Sequence, residues 1–227
     1  MTEPATAFDT IDADPAGPED PAGYDWSAVT GRIAGATLES VPFEWSVIDG
    51  LFDPELAATL AASFPSAGYR LSSTQPDYTF LYRGLINEGT LINAGSLSAA
   101  WREFGKVLAG DAYRAAMQQL TGRDLDGLKV YGGFCRYEPG CSLRPHPDRP
   151  IRVLTQTIYF SPHWNEQWGG SLLILRSADP GQVHRRVTPV LGRSVVFVRS
   201  DHSWHAVERV RRGIDAVRRS LLLHYSR

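Results

Sequence analysis

The stretch LKVYGGFCRY (128–137) opens the part of the chain that decides the fold. Further short runs rich in β-branched and aromatic residues follow it, namely RVLTQTIYF (152–160), GSLLIL (170–175), RSVVFV (193–198), WHAVERV (204–210) and RRSLLLHY (218–225). Turns containing Gly or Pro separate these runs, and this pattern is typical of antiparallel strands in a sandwich or barrel. The sequence therefore predicts a β-sheet core over about residues 128–227.

Upstream of this core the pattern is mainly helical. After a predicted strand at 41–52, residues 53–65 predict a helix with Asp53 as N-cap and Pro54 in its first turn. Two more helices are predicted at 96–110, capped by Ser96 or Ser98, and at 111–122, capped by Asp111 and ended by Gly122. The fold class is therefore α+β, with helices before a single β core.

The segment 68–95 is polar, with interleaved aromatic residues and with Gly and Pro interrupting any period. A long irregular segment in a compact domain is often a lid or a substrate loop, and a surface excursion of short strands is the alternative. Its residues Tyr78, Phe80, Tyr82 and Arg83 are expected to contact substrate, or else to belong to the core.

Composition narrows the classes of protein and partner. The chain has 227 residues, 43% of them hydrophobic, and a formal net charge of −2, which argues against nucleic acid or an anionic membrane as the main partner. Residues 1–25 are acidic and rich in Pro and Ala, which predicts a disordered tail before one domain at 26–227. No apolar run spans a bilayer, no signal peptide is evident, and Cys135 and Cys141 as ordinary thiols indicate the cytoplasm.

A metal site is predicted around RPHPDRP (144–150). His146 and Asp148 are two residues apart, so they point to the same side if this stretch leads into a strand. A third ligand from a distant strand would complete a set of two histidines and one carboxylate, typical of non-haem iron. His205 is preferred over His202, which lies in a predicted turn. The other histidines, His163, His184 and His224, are interpreted as surface or packing residues.

The last predicted strand carries an anion-binding pattern. Arg218 and Ser220 share a face by the strand period of two, and a buried arginine is costly unless an anion pairs with it. A guanidinium fits a carboxylate through two parallel hydrogen bonds. Tyr159 could add its phenol to the same carboxylate.

Taken together, these motifs resemble the Fe(II)/2-oxoglutarate-dependent oxygenases, in particular the prolyl hydroxylase-like branch. The resemblance covers residues 41–227 and rests on the succession Tyr137, a Gly turn, His146-x-Asp148, Tyr159, Gly169–Gly170, His205-x-Val207 and Arg218-x-Ser220. It implies a double-stranded β-helix, a jelly-roll or cupin-like barrel, with flanking N-terminal helices. It also implies Fe(II) bound by His146, Asp148 and His205, and 2-oxoglutarate held by Arg218, Ser220 and Tyr159 with Tyr137 lining the pocket. Arg219 is the rival of Arg218.

The resemblance further implies a dioxygenase that uses O₂ and 2-oxoglutarate, releases succinate and CO₂, and benefits from ascorbate to maintain Fe(II). Related halogenases replace the carboxylate ligand with a small residue, so Asp148 favours hydroxylation, desaturation or ring formation. The expected substrate is a small molecule such as an amino acid, an amino sugar or a natural-product intermediate. Peptidyl hydroxylation, a non-catalytic metal-binding β-barrel and a zinc hydrolase are the alternatives.

Overall fold

The computed structural model describes residues 23–74 and 78–227, so most of the predicted N-terminal tail lies outside the described residues. The described residues contain four α-helices, all before residue 122, namely α1 (Trp26–Ala34), α2 (Pro54–Ala62), α3 (Ala99–Ala109) and α4 (Asp111–Thr121). None of the described helices is long and apolar enough to cross a membrane.

The predicted helix boundaries hold in outline, and their caps differ in detail. Ser98 caps α3 by accepting a hydrogen bond from the Trp101 amide at 3.3 Å. Asp53 makes no capping hydrogen bond to α2 and pairs with the Arg32 guanidinium instead. The N-cap of α4 is Gly110 rather than Asp111, and Gly122 ends the helix at φ 65°. Such a left-handed residue is a common helix terminator, and Gly adopts it without strain.

Within the described part of the chain, twelve strands form one curled antiparallel sheet. They are β1 (Trp45–Ile48), β2 (Arg70–Thr74), β3 (Tyr78–Asn87), β4 (Thr90–Leu91), β5 (Lys129–Tyr137), β6 (Ser142–His146), β7 (Arg152–Tyr159), β8 (Leu172–Leu175), β9 (Val183–Val187), β10 (Ser194–Val198), β11 (His205–Val207) and β12 (Arg218–Ser226). The neighbour order is β1-β10-β7-β12-β5-β3-β6-β11-β8-β9, with β2 and β4 paired to β3. The sheet curls into a double-stranded β-helix, which confirms the expected fold.

The sheet has a helix-covered side and an enclosed side. On the covered side, α-helical residues such as Leu60, Trp101 and Phe104 pack in one cluster with Phe134 and Leu221 of the strands. On the enclosed side, a second cluster includes Tyr137, Tyr159, Ile174 and Phe197. Because side chains alternate along each strand, neighbouring residues serve opposite clusters. The enclosed side holds the functional residues.

Two elements correct the sequence-based expectation. Residues 26–34 form a helix that was not predicted, and its Val29 and Ile33 are buried one turn apart. The segment 68–95 contains β2, β3 and β4 in its described part, and β3 pairs along β5 inside the main sheet. The structure therefore agrees better with the alternative of short strands than with a lid or substrate loop. It differs from that alternative in that β3 pairs within the main sheet and is not a surface excursion.

Candidate metal and cosubstrate site

His146, Asp148 and His205 converge in the described structure. Their possible ligand atoms all lie within 4.8 Å of one another. His146 ends β6, and His205 begins β11 directly opposite it in the antiparallel register, with ring centroids 4.4 Å apart. Asp148 follows two residues after His146 in the connection to β7. His202, the weaker alternative, lies exposed in the preceding turn.

Both histidines are held in a way that leaves one particular ring nitrogen for a metal. Nδ1 of His146 lies 2.9 Å from the Arg144 carbonyl oxygen, and Nδ1 of His205 lies 2.9 Å from that of Ser203. A carbonyl only accepts, so each Nδ1 carries the proton and donates. The lone pair is then on Nε2, which is the form of imidazole that binds metals.

Asp148 is buried, and both of its carboxylate oxygens have partners. The Thr155 hydroxyl donates to Oδ2 at 2.5 Å, and the Arg152 guanidinium pairs with Oδ1. Burial alone would raise the pKa of Asp148, but the electrostatic interactions with His205 and Arg152 and the hydrogen bond from Thr155 outweigh it and hold the pKa below its usual range. The carboxylate is therefore ionised, as a metal ligand must be.

The sequence predicts a surface or packing role for His224, whereas the structure places it in the wall of the site. Its Nδ1 lies 2.8 Å from the Thr155 hydroxyl. Since that hydroxyl gives its single proton to Asp148, His224 must be the donor in this contact. Burial lowers the pKa of His224 to about 3, so its ring is neutral. His224, Thr155 and Asp148 thus form one chain of hydrogen bonds.

Arg218 lies deep in the enclosed side and is 1% exposed. Its Nε donates to the Gly170 carbonyl at 2.7 Å and its Nη1 to the Ser220 hydroxyl at 3.1 Å. The guanidinium stacks over Tyr137 at 4.8 Å and over Tyr159 at 4.9 Å. No carboxylate of the described residues pairs with it. A buried cation with unused N–H donors is suited to an anionic ligand.

The surroundings of Arg218 distinguish it from its rival. Arg219 points to the opposite face of β12, where its guanidinium lies over the Phe64 ring at 6.0 Å. The Tyr159 hydroxyl is buried beside Arg218 and has no hydrogen-bond partner among the described residues. Burial raises the pKa of Tyr159, so its phenol stays neutral and can donate. Arg218, Ser220 and Tyr159 therefore present a group of donors without a matching acceptor.

The turn at Gly169–Gly170 fixes the position of Arg218. Both glycines have positive φ, 70° and 71°. A Cβ on Gly169 would lie 2.3 Å from the Arg209 carbonyl oxygen, and one on Gly170 would lie 2.8 Å from the Trp164 ring. Trp164 donates from its indole to the Gly169 carbonyl at 2.9 Å. Only glycine fits both positions, so the carbonyl that holds Arg218 is set by this turn.

A cavity of about 560 Å³ adjoins these groups, and its volume is in the usual range for a small-molecule site. Tyr159 is not among the residues that line it. Its wall holds the three candidate ligands, Arg218, Ser220 and Tyr137. Tyr78 and Phe80 of β3 also line it, as expected for substrate contacts, and Phe80 stacks on Tyr137 at a centroid distance of 5.2 Å.

Tyr82 and Arg83 are not brought into this wall. The Tyr82 ring lies against Gly133, where it fills the space that a Cβ would need. Arg83 is on the opposite face of β3, and its guanidinium donates to the Ala67 carbonyl at 2.7 Å and to the Ser96 hydroxyl at 2.6 Å. The expectation of a substrate role for Arg83 is corrected by the strand alternation, which turns it away from the cavity. Arg152, Thr155 and Phe197 line the cavity and were not singled out beforehand.

The donor set fits the cofactors of the resembled family. Two imidazoles and one carboxylate on one side of a cavity are the ligands of the facial triad that non-haem Fe(II) oxygenases use. The unpaired guanidinium of Arg218 in the same cavity fits the distal carboxylate of a dicarboxylic acid such as 2-oxoglutarate.

Comparisons with known proteins agree with this geometry. Residues 132–226 match the model of the 2OG-Fe(II) oxygenase superfamily. A search of curated protein sequences found no match.

Among solved structures, a Pseudomonas putida prolyl-4-hydroxylase is 24% identical, with 89% of this chain and 99% of that chain covered and a TM-score of 0.61. A prolyl hydroxylase from Trichoplax adhaerens, solved with a hypoxia inducible factor peptide fragment, is 15% identical, with coverages of 90% and 94% and a TM-score of 0.64. HygX from Streptomyces hygroscopicus, solved with nickel and 2-oxoglutarate, is 12% identical, with coverages of 80% and 82% and a TM-score of 0.54.

At these identities the solved structures establish the shared fold. The region that contains the site, residues 132–226, matches the 2OG-Fe(II) oxygenase superfamily, and this match, the fold and the donor set together indicate a dioxygenase that uses Fe(II) and 2-oxoglutarate.

Proposed function

We propose that this dioxygenase hydroxylates a C–H bond of a small molecule, such as an amino acid, an amino sugar or a natural-product intermediate, and releases succinate and CO₂. The observation that carries the proposal is the placement of a His-Asp-His cluster and a buried, unpaired Arg218 in one cavity of small-molecule size. The His-Asp-His cluster suits Fe(II), and Arg218 suits 2-oxoglutarate.

In this proposal Nε2 of His146, Nε2 of His205 and a carboxylate oxygen of Asp148 hold the iron. The Nδ1 hydrogen bonds to the carbonyls of Arg144 and Ser203 orient the two rings. Thr155 and Arg152 restrain the carboxylate through its two oxygens. A metal ion bound by these three ligands would supply the oxidising chemistry with O₂.

The cosubstrate is held by the residues around Arg218. Its guanidinium, together with the hydroxyls of Ser220 and Tyr159, would receive the C5 carboxylate of 2-oxoglutarate. The planar guanidinium lies against the rings of Tyr137 and Tyr159, and these contacts restrict its direction. Burial of this group makes its charge-assisted hydrogen bonds stronger than they would be in water.

The walls beyond the cosubstrate are the proposed substrate site. Tyr78 and Phe80 form one side, and Phe197 and Leu222 contribute further apolar surface. These side chains exclude water from the reacting centre and position a C–H bond of the substrate near the metal ligands.

Succinate formation from 2-oxoglutarate tests the proposal. Purified protein with Fe(II), ascorbate and O₂ should convert 2-oxoglutarate to succinate, with faster conversion when a substrate is present. His146→Ala and Asp148→Ala should abolish this conversion, whereas the exposed His202→Ala should retain it. If the wild-type protein forms no succinate with any candidate substrate, the proposal is wrong and a metal-binding barrel without catalysis is favoured.

Peptidyl hydroxylation is the second candidate, since the similar structures include prolyl hydroxylases. The compounds that stimulate succinate release distinguish small-molecule hydroxylation from peptidyl hydroxylation. The proposal expects free amino acids or related small molecules to stimulate it, whereas stimulation by proline-containing peptides alone would favour the peptidyl reaction.

A further inference from the structure

The charges around the cavity favour one class of substrate. Resting on the proposed function, we infer that the substrate carries an organic anion, a carboxylate or a phosphate, which binds at the rim formed by Arg144, Arg149 and Arg152. We call these three residues the arginine rim.

The arginine rim frames the predicted metal ligands. Arg144 lies two residues before His146 at the end of β6, Arg149 directly follows Asp148, and Arg152 begins β7. All three line the cavity. Arg144 and Arg149 are exposed, and within residues 23–74 and 78–227 neither makes an ion pair. Two cationic side chains at the cavity mouth are therefore available to a ligand.

The cavity wall differs in charge from the rest of the chain. The whole chain has more acidic than basic residues, with a formal net charge of −2. The described residues of the cavity wall include four arginines and one carboxylate, that of Asp148. An arginine-rich cavity in a slightly acidic protein attracts anions and repels amines.

Binding of Fe(II) and 2-oxoglutarate would not remove the excess of positive charge in the cavity wall. The two positive charges of Fe(II) offset the two negative charges of 2-oxoglutarate, and the positive charge of Arg218 offsets the negative charge of Asp148. The arginine rim is then the remaining charge that a substrate meets. Arg152 already shares its charge with Asp148, so Arg144 and Arg149 are the residues free to recognise an anion.

The other side of the cavity is apolar and aromatic. Tyr78, Phe80, Phe197 and Leu222 line it, and the Phe197 ring lies beside that of His205, with centroids 4.3 Å apart. The combination fits a molecule with an anionic end at the rim and an apolar part near the metal ligands. Among the proposed substrates, amino acids and other organic acids meet this requirement, and amino sugars, which are cationic, do not.

The test uses probes that differ only in charge. The full chain is loaded with Mn(II) and 2-oxoglutarate, and both bindings are measured first. Binding of N-acetyl-leucine and N-acetyl-phenylalanine is then compared with that of their primary amides, through the relaxation of probe protons by Mn(II). Glycerol 3-phosphate against glycerol forms a second arm that separates phosphate from carboxylate recognition.

We expect the anionic member of at least one pair to bind about tenfold more tightly than its neutral partner, since two exposed ion pairs contribute modestly. Arg144→Gln/Arg149→Gln should abolish that preference without changing 2-oxoglutarate affinity. Arg211→Gln, an exposed arginine outside the cavity wall, should leave it unchanged.

Equal binding of anion and neutral partner in every pair, or a preference that survives the double substitution, would overturn the inference. A protein that binds neither Mn(II) nor 2-oxoglutarate would instead reject the proposed function. The two failures are therefore distinguishable.

Discussion

The Thr155 hydroxyl lies 2.5 Å from Oδ2 of Asp148 and 2.8 Å from Nδ1 of His224. One hydroxyl thus accepts from a buried histidine and donates to the carboxylate of the predicted metal site. The link orients Asp148 from the strand behind it, since Thr155 and His224 are paired across β7 and β12. Such support behind a ligand sets both its direction and its charge.

Thr155→Val should weaken metal binding, because it removes the donor to Asp148 and keeps the shape of the side chain. The expected loss is about 10- to 100-fold in Mn(II) affinity, measured by calorimetry, with an unchanged circular dichroism spectrum. Thr157→Val is the matched control, since Thr157 lines the same cavity from the same face of β7 and makes no bond to Asp148. Equal losses in both variants would contradict a specific role for Thr155.

Arg218→Gln should raise the KM for 2-oxoglutarate while Mn(II) affinity stays within about twofold of the wild type. Removing one partner of a buried charge pair costs about 2–5 kcal/mol, so the KM should rise at least about 30-fold. Arg219→Gln on the other face of β12 should leave the KM unchanged. The reverse result would show that Arg219 is the anchor.

Stability of the metal-free protein should fall as the pH is lowered from about 6.5 to 4. Burial lowers the pKa of His205 to about 4 and that of His224 to about 3, from an ordinary value of 6.5. In this window the unfolded chain takes up protons that the folded chain does not, so acidification favours unfolding. Asp148 has a lowered pKa, and its contribution is lost only below its ordinary value of 3.8.

Urea midpoints measured against pH, with a chelator present, check this expectation. His224→Gln should lower the number of protons taken up on unfolding by about one and so weaken the pH dependence of stability. Substitution of the exposed His202 should leave that dependence unchanged. A wild-type midpoint that is constant from pH 6.5 to 4 would contradict the burial of neutral histidines.

Gly169→Ala should destabilise the protein more than Gly213→Ala. Both positions have positive φ, so both variants carry backbone strain. Only Gly169 also places a Cβ 2.3 Å from a backbone carbonyl, that of Arg209, whereas nothing lies within 4 Å at Gly213. Urea unfolding should show the difference, and equal losses would mean that the turn tolerates the extra atom.

The strand alternation explains which site residues could be predicted. In β12 the period of two separates Arg218 from Arg219, and the buried run around them makes the inward face recognisable. The same period separates Tyr82 from Arg83 in β3, but Gly and Asn in that segment obscured the strand. Its formation depends on long-range pairing with β5, which no local pattern contains.

The role of Thr155 was beyond prediction for a related reason. Its position on the inward face of β7 follows from the alternation, but its partners come from the connection after β6 and from β12. The sequence predicts a surface or packing role for His224 because no carboxylate lies at strand spacing from it. Its contact with Thr155 arises only when β7 and β12 pair.

A crystal structure obtained without oxygen, with Mn(II) and 2-oxoglutarate added, would locate both the metal and the cosubstrate. We expect one metal ion bound by Nε2 of His146, Nε2 of His205 and a carboxylate oxygen of Asp148. We also expect the C5 carboxylate of 2-oxoglutarate to contact Arg218, Ser220 and Tyr159. A metal bound elsewhere, or 2-oxoglutarate held away from Arg218, would contradict this expectation.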